Sequence, residues 1–356
     1  MNHLNRIIAQ LDAYELDALC ITSEPGEFYA VGMKGEGVVL LTRQGSYYFT
    51  DARYIELAQR VVTDAEVTMV TPHQDHFALA SLLLEHHQWK RVGIEEQYLT
   101  VERWQKMQTA FPAGTELLPA GKLLTELRGA KTPEEVAIMQ KAQDITDQVF
   151  EEILAFLRPG VTESEVAAQL TYLQMKQGAE GNSFPPIVAS GTNGSMPHAI
   201  PGSKPIQAGE FVTMDFGCVY GGYCSDMTRT VAVGTPSDEM RRVYDAVLEA
   251  QLAGIALAKA GVAGCEIHHA AWDVLKKYGY GDYFGHGFGH SLGLEIHESP
   301  NANRANTQPL PAGAVLSAEP GVYLPEKFGV RIEDVICLTE TGNHILTHAV
   351  KDLIIL

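Results

Sequence analysis

Residues 214–230 read MDFGCVYGGYCSDMTRT and place two aspartates, Asp215 and Asp226, on either side of a Tyr-Gly-Gly-Tyr turn. The flanks FVTMDF and MTRTVAV are rich in β-branched and aromatic residues, and Gly221-Gly222 supplies the turn, so the segment reads as a β-hairpin. A register in which paired positions sum to 441 sets Asp215 directly opposite Asp226. Their Cβ atoms then lie ~5 Å apart, which is unfavourable for two carboxylates unless a cation sits between them. Either a cation belongs there or the register differs.

A repeat extends this reading to the rest of the chain. RPGVTESEV at 158–166 is echoed by KAGVAGCEI at 259–267, and PIQAGEFVTMDFG from Pro205 by PLPAGAVLSAEPG from Pro309. Under the second offset Asp215 lands on Glu319. Both copies turn back into a strand carrying a further acid, Asp226 in one and Glu333 (within GVRIEDV) in the other, and positions 319 and 333 centre on Glu326. Two pseudo-symmetric halves thus each deliver an opposed pair of carboxylates. Four such groups in one pocket cannot all stay ionised without cations, and more than one divalent ion is the natural solution.

Histidines concentrate nearby. GDYFGHGFGHSLGLEIHESP at 281–300 holds His286, His290 and His297 among glycines, and His198 lies in the loop-like GSMPHAIPG. An oxygen-rich site with one imidazole favours Mn²⁺, Co²⁺, Fe²⁺ or Zn²⁺ over a soft, thiolate-bound ion. Asp215-Phe216-Gly217 matches a kinase magnesium signature, but the companion lysine strand and His-Arg-Asp loop are absent. The glycines of GHGFGHSLG do not form a dinucleotide fingerprint.

Residues 1 to about 122 mix a helical pattern (Leu4, Ile7, Ile8, Leu11) with strand-like runs ALCIT, GVVLLT, SYYFTD and RVGIEE, an α/β domain of its own. A second unit opens at Lys131-Thr132-Pro133-Glu134-Glu135, where Thr132 and Glu135 form a capping box ahead of an apolar helical face running to Leu157. The boundary falls between 120 and 131, giving domains at 1–125 and 126–356 in an α/β (α+β) protein. The formal charge of −18 argues against nucleic acid or an anionic membrane as the main partner. The N-terminal MNHLNRIIAQLDAYELDA reads as an amphipathic helix rather than a signal peptide, so a cytoplasmic location is expected. Five cysteines without framework or zinc-finger spacing fit reduced thiols, with a ligand role open for Cys218 and Cys224.

MDFGCVYGGYCSDMTRT, GHGFGHSLGLEIHESP, SAEPGVY and GVRIEDV, in this order, resemble the pita-bread metallopeptidases of the M24 type, which include prolidase (Xaa-Pro dipeptidase) and aminopeptidase P. TDARY at 50–54 fits the creatinase-like N-terminal domain of those enzymes. The resemblance implies that Asp215, Asp226, His290, Glu319 and Glu333 bind two divalent ions, with Mn²⁺ or Co²⁺ expected ahead of Zn²⁺ or Fe²⁺. It implies a hydroxide bridging the two ions, and Glu319 as the proton shuttle. His198 and His297 would hydrogen-bond the substrate, His286 would line the leaving-group pocket, and Arg331 would hold either a substrate group or one of the ligands.

The expected substrates are peptides with proline in second position, and the expected assembly is a homodimer. Dipeptidase activity is expected, with aminopeptidase P action on longer peptides as the alternative. Some prolidases carry an arginine soon after the His-Glu-x-Pro run; here Asn301 follows Pro300 and the next arginine is Arg304. A creatinase-like hydrolase that works without metal, and a non-catalytic pita-bread binding module, are the competing readings; the filled ligand positions argue against both.

Overall fold

The apolar runs of the first domain become strands in a computed structural model, which describes residues 3–356. Strands β1 (Ala18–Ile21), β2 (Val38–Thr42), β3 (Ser46–Thr50), β4 (Glu66–Met69), β5 (Arg91–Ile94) and β6 (Glu116–Pro119) form one mixed sheet in the order β4-β3-β2-β1-β5-β6. The central β1 and β2 are wholly buried and so read as continuous apolar runs, whereas β4 and β6 are half-exposed at the edges and carry no such signal. The N-terminal helix is shorter than the amphipathic pattern suggests. Only Leu4–Ile8 is α-helical, although Leu4, Ile7 and Leu11 are buried as expected; Met1 and Asn2 lie outside the described residues.

This first unit ends at Arg128, and a second spans Gly129–Leu356. The second opens on the helix Pro133–Leu154, where Thr132 Oγ1 accepts the Glu135 N–H (3.3 Å) and Glu135 Oε2 accepts the Thr132 N–H (2.8 Å). The repeat is visible in its backbone. Helices Glu163–Lys176 and Gly264–Lys277 occupy equivalent places, each following an isolated bridge, Thr162 to Pro205 and Ala263 to Pro309. The N–H of Gly160 donates to Ile206 O and that of Gly261 to Leu310 O, both at 2.9 Å.

The first half contains β7 (Gly181–Asn182), β8 (Ile187–Ser190), β9 (Glu210–Phe216), β10 (Cys218–Tyr220), β11 (Tyr223–Cys224) and β12 (Met227–Val233). The second contains β13 (Gly289–Ser291), β14 (Glu298–Ala302), β15 (Val315–Ala318), β16 (Gly321–Leu324), β17 (Phe328–Arg331), β18 (Asp334–Leu338) and β19 (Asn343–Ile345). In one half Val149, Phe150 and Leu170 pack on Val212, Met214 and Phe216; in the other Val243, Val247 and Ile267 pack on Leu316, Val330 and Ile336. Because side chains alternate along a strand, this leaves Thr213, Asp215, Thr228 and Thr230, with Ser317, Arg331 and Glu333, on the faces turned away from the helices.

The hairpin of residues 214–230 forms in a different register from the one expected. Tyr220 pairs with Tyr223 and Asp215 with Thr228, so Asp226 is not directly opposite Asp215. The reason lies in the turn: Gly221 (φ +57°) and Gly222 (φ +79°) make a two-residue loop of the I′ kind, which leaves both glycines unpaired and shifts every partner by two. A shift of two preserves the face, so Asp226 stays on the side of Asp215. In the second half the expected centre at Glu326 holds, with Gly321 opposite Arg331 and Ala318 opposite Asp334. Glu319 and Glu333 occupy the break between those two ladders.

Candidate metal centre

The two halves meet edge to edge, where the Glu333 N–H donates to Thr228 O (3.1 Å) and Thr230 Oγ1 donates to Arg331 O (3.0 Å). That seam brings the carboxylates together. Asp215, Asp226 and Glu333 are nearly inaccessible, at 9%, 4% and 1% exposure. Ligand atoms of Asp226, His290 and Glu333 lie within 4.8 Å of one another. The imidazole Nε2 of His290 is 3.3 Å from Glu319 Oε1 and 3.7 Å from Asp226 Oδ2.

The donor set fits a divalent cation. Asp215 Oδ1, Asp226 Oδ1 and Glu333 Oε1 are buried without a hydrogen-bond partner, a costly state unless a cation satisfies them. His290 Nδ1 faces Ser291 O (3.2 Å), the arrangement that assigns its proton to Nδ1 and leaves Nε2 with a free lone pair. Burial pushes Asp226 and Glu333 well above the ordinary carboxylate range, and neighbouring carboxylates add to the effect. Asp215 is also raised, chiefly by burial and against the pull of Arg331. Glu319 goes the other way: burial pushes it up, but His290 and His286 in their protonated forms, with Arg331 and the Ser317 hydroxyl, outweigh burial and hold it below its ordinary value.

Around these groups runs a network that the sequence reading partly missed. Arg331 is 4% exposed and bonds Asp215 Oδ2 (2.6 Å), Thr228 Oγ1 (3.0 Å), Tyr323 Oη (2.8 Å) and Pro197 O (3.3 Å). Arg331 and Asp215 thus form a buried ion pair. Thr228 passes the support on, donating to Glu333 Oε2 (2.7 Å). Tyr323, which sequence reasoning did not single out, accepts from Arg331 and so donates its own proton to His286 Nε2 (2.9 Å); burial raises its phenol to about 12. The Nδ1–H of His286 faces Gly287 O (2.9 Å), and burial holds the ring below its ordinary pKa. Both nitrogens of His286 are thus committed, and it offers the site a neutral ring face.

Ser317, also missed, accepts the His290 N–H (3.0 Å) and donates to Glu319 Oε1 (2.9 Å). Strand parity is the signal that would have found both it and Thr228, each two residues from an acid on the same face. His297 is exposed, with its ring 4.4 Å from that of His290, and His198 is exposed beside Pro197, whose carbonyl Arg331 holds. The open question about the thiols closes: Cys218 Sγ donates to Ala142 O (3.3 Å), and Cys224 Sγ faces Leu294 O, so neither belongs to the carboxylate cluster. Arg304 is drawn elsewhere, its Nε–H donating to His268 Nε2 (3.0 Å) and its guanidinium lying over Trp272.

Known proteins match this chain along its whole length. Residues 137–340 match metallopeptidase family M24, and residues 3–129 match the creatinase/prolidase N-terminal domain. The Xaa-Pro dipeptidase of Pyrococcus horikoshii is 32% identical over 99% of this chain and 98% of its own. An Xaa-Pro dipeptidase structure from Bacillus anthracis superposes with a TM-score of 0.95 at 39% identity, covering 99% of each chain. An X-Pro aminopeptidase structure from Thermotoga maritima gives 0.93 at 33% identity, covering 100% of each. With five ligand-type side chains gathered at the seam of a doubled fold, and with these matches, the chain belongs to metallopeptidase family M24 and carries a creatinase/prolidase-type domain ahead of its catalytic unit.

Proposed function

We propose that the protein is an Xaa-Pro dipeptidase, hydrolysing the bond between an N-terminal residue and a following proline. The observation that carries this reading is the convergence of Asp226, His290 and Glu333, with unpartnered buried carboxylate oxygens, in a chain whose full-length relatives include Xaa-Pro dipeptidases. Asp215, Asp226, His290, Glu319 and Glu333 would hold two divalent ions, Mn²⁺ or Co²⁺ before Zn²⁺ or Fe²⁺, since oxygen dominates the donor set. Such ions act as Lewis acids, polarising the scissile carbonyl and lowering the pKa of a bound water.

The remaining work belongs to the chain. Glu319, which faces His290 Nε2 at 3.3 Å and accepts the Ser317 hydroxyl, accepts the proton of the attacking water. It then delivers that proton to the prolyl nitrogen, which leaves a tertiary amide only as the protonated amine. His198 and His297, exposed beside the cluster, donate N–H groups to the carbonyl oxygen as it gains charge. His286, with both nitrogens engaged, walls the pocket for the leaving proline.

One observation favours a second specificity. Arg304 is anchored to His268 and Trp272, so the arginine following the His-Glu-x-Pro run supplies no partner for the free carboxylate of a dipeptide. Aminopeptidase P action on longer peptides follows if no other cation takes that role. Hydrolysis of Ala-Pro and Ala-Pro-Ala with added Mn²⁺ or Co²⁺, with chelator controls, decides between them: cleavage of the dipeptide alone supports the dipeptidase. Cleavage of the tripeptide as well, or instead, supports the aminopeptidase, and metal-independent or absent cleavage refutes both. The working unit is proposed to be a homodimer, which light scattering contradicts if only a 38.9 kDa species is present.

A further inference from the structure

We infer that the buried Lys131–Glu298 ion pair is a positioning device that fixes the loop presenting His297 to the substrate, an inference that rests on the Xaa-Pro hydrolase reading for the role of His297. Lys131 Nζ lies 3.1 Å from Glu298 Oε2, and the two side chains are 1% and 5% exposed. Burying two ions costs about as much as their attraction returns, so a pair of this kind adds little net stability and is better explained by the geometry it imposes.

The geometry is specific. Glu298 Oε1 accepts the Glu295 N–H (3.1 Å), while Gly293 donates its N–H to Glu295 O (3.0 Å). A side chain at Gly293 would put its Cβ 2.8 Å from Glu298 Oε2, so this close wrap needs glycine. Gly293 O accepts the N–H of Cys224 (2.7 Å), two residues before Asp226. Glu298 also pairs with Ser291 in the ladder of β13 and β14, beside His290. The segment between Ser291 and Glu298 is therefore closed on itself, and His297 stands in it next to a ligand.

The other end of the pair is equally fixed. The Lys131 N–H donates to Gly313 O (2.9 Å), and the next residue, Thr132, caps the helix Pro133–Leu154. A charge at the root of the first helix in one half thus holds a loop of the other half. Neither side chain is among the clustered ligand atoms, so both act through His297 rather than on the substrate.

The test is a kinetic cycle. Glu298→Gln is expected to lower kcat on Ala-Pro by roughly 10- to 100-fold, the scale of a small misplacement, and to lower it no further when added to His297→Ala. Additive losses would overturn the proposal. Lys131→Met/Glu298→Gln leaves no unpaired buried charge and guards against simple unfolding; it is expected to bind Mn²⁺ as the unmodified protein does and to show the same loss, and full kcat in it counts against the pair. An independent readout uses histidine-labelled, metal-free protein. The ring signals of His297, assigned by their disappearance in His297→Ala, are expected to shift in Glu298→Gln. Unchanged signals refute the positioning role whether or not Ala-Pro is cleaved, whereas failure of the unmodified protein to cleave Ala-Pro refutes only the hydrolase reading.

Discussion

Arg331 shows how much of the site's geometry one buried guanidinium can carry. One guanidinium holds Asp215 at 2.6 Å, supports Thr228 beneath Glu333, and through Tyr323 sets the tautomer of His286. Removing such outer partners commonly weakens metal binding by ~10- to 100-fold. Arg331→Met is therefore expected to raise the Mn²⁺ dissociation constant by about that factor, measured by titration calorimetry, and an unchanged constant would show the network to be incidental.

The carboxylates themselves predict a pH dependence. Asp226 and Glu333 have folded pKa values raised by burial and by their acidic neighbours. The folded, metal-free protein consequently binds more protons than the unfolded chain, so their contribution to stability is fully present below the ordinary carboxylate pKa of about 4 and is lost as pH rises through the raised values. In chelator-treated protein, Asp226→Asn should show a shallower fall of Tm with rising pH and a higher Tm near neutrality than the unmodified chain. Parallel curves in calorimetry would contradict this.

At the scale of elements, the hairpin turn decides where Asp226 points. Gly221 and Gly222 both adopt left-handed φ, which a β-branched residue tolerates poorly, and a Cβ on Gly221 would approach Ile138 Cγ2 to 2.8 Å. Gly221→Val is expected to destabilise the protein by ~1–3 kcal/mol in urea unfolding and to weaken metal binding by disturbing the hairpin. Thr132→Ala, which removes a helix cap remote from the ligands, should cost ~1 kcal/mol without that second effect. The contrast separates damage to the site from loss of stability alone. The alternation of apolar and polar residues was readable in MTRTVAV and GVRIEDV because each strand buries one face under helices and turns the other toward the seam. The register in the first half was not readable from the acids alone, since the loop length set by two glycines fixes which residues pair.

For the whole molecule, a metal bound at the cluster would stabilise the fold, because the carboxylates converge only when both halves are assembled. Saturating Mn²⁺ at 100 times its dissociation constant should add about 2.7 kcal/mol to unfolding, and chelation should remove it. A Tm insensitive to Mn²⁺ would mean that the cluster does not bind it. Among the described residues no helix is long and apolar enough to cross a membrane.

The amino-acid sequence by itself determined the doubled architecture, the capped helix at Thr132 and the acids that gather at the seam, because periodicity, caps and repeats are local properties that survive in a linear string. The sequence patterns of the repeat also placed Glu319 and Glu333 in the right register. Only the tertiary structure decided that Arg331 is tied to Asp215, that Tyr323 claims His286, and that Lys131 reaches Glu298. Those contacts join residues far apart in the chain, and which donor meets which acceptor depends on how two packed halves abut, a geometry that no single segment specifies.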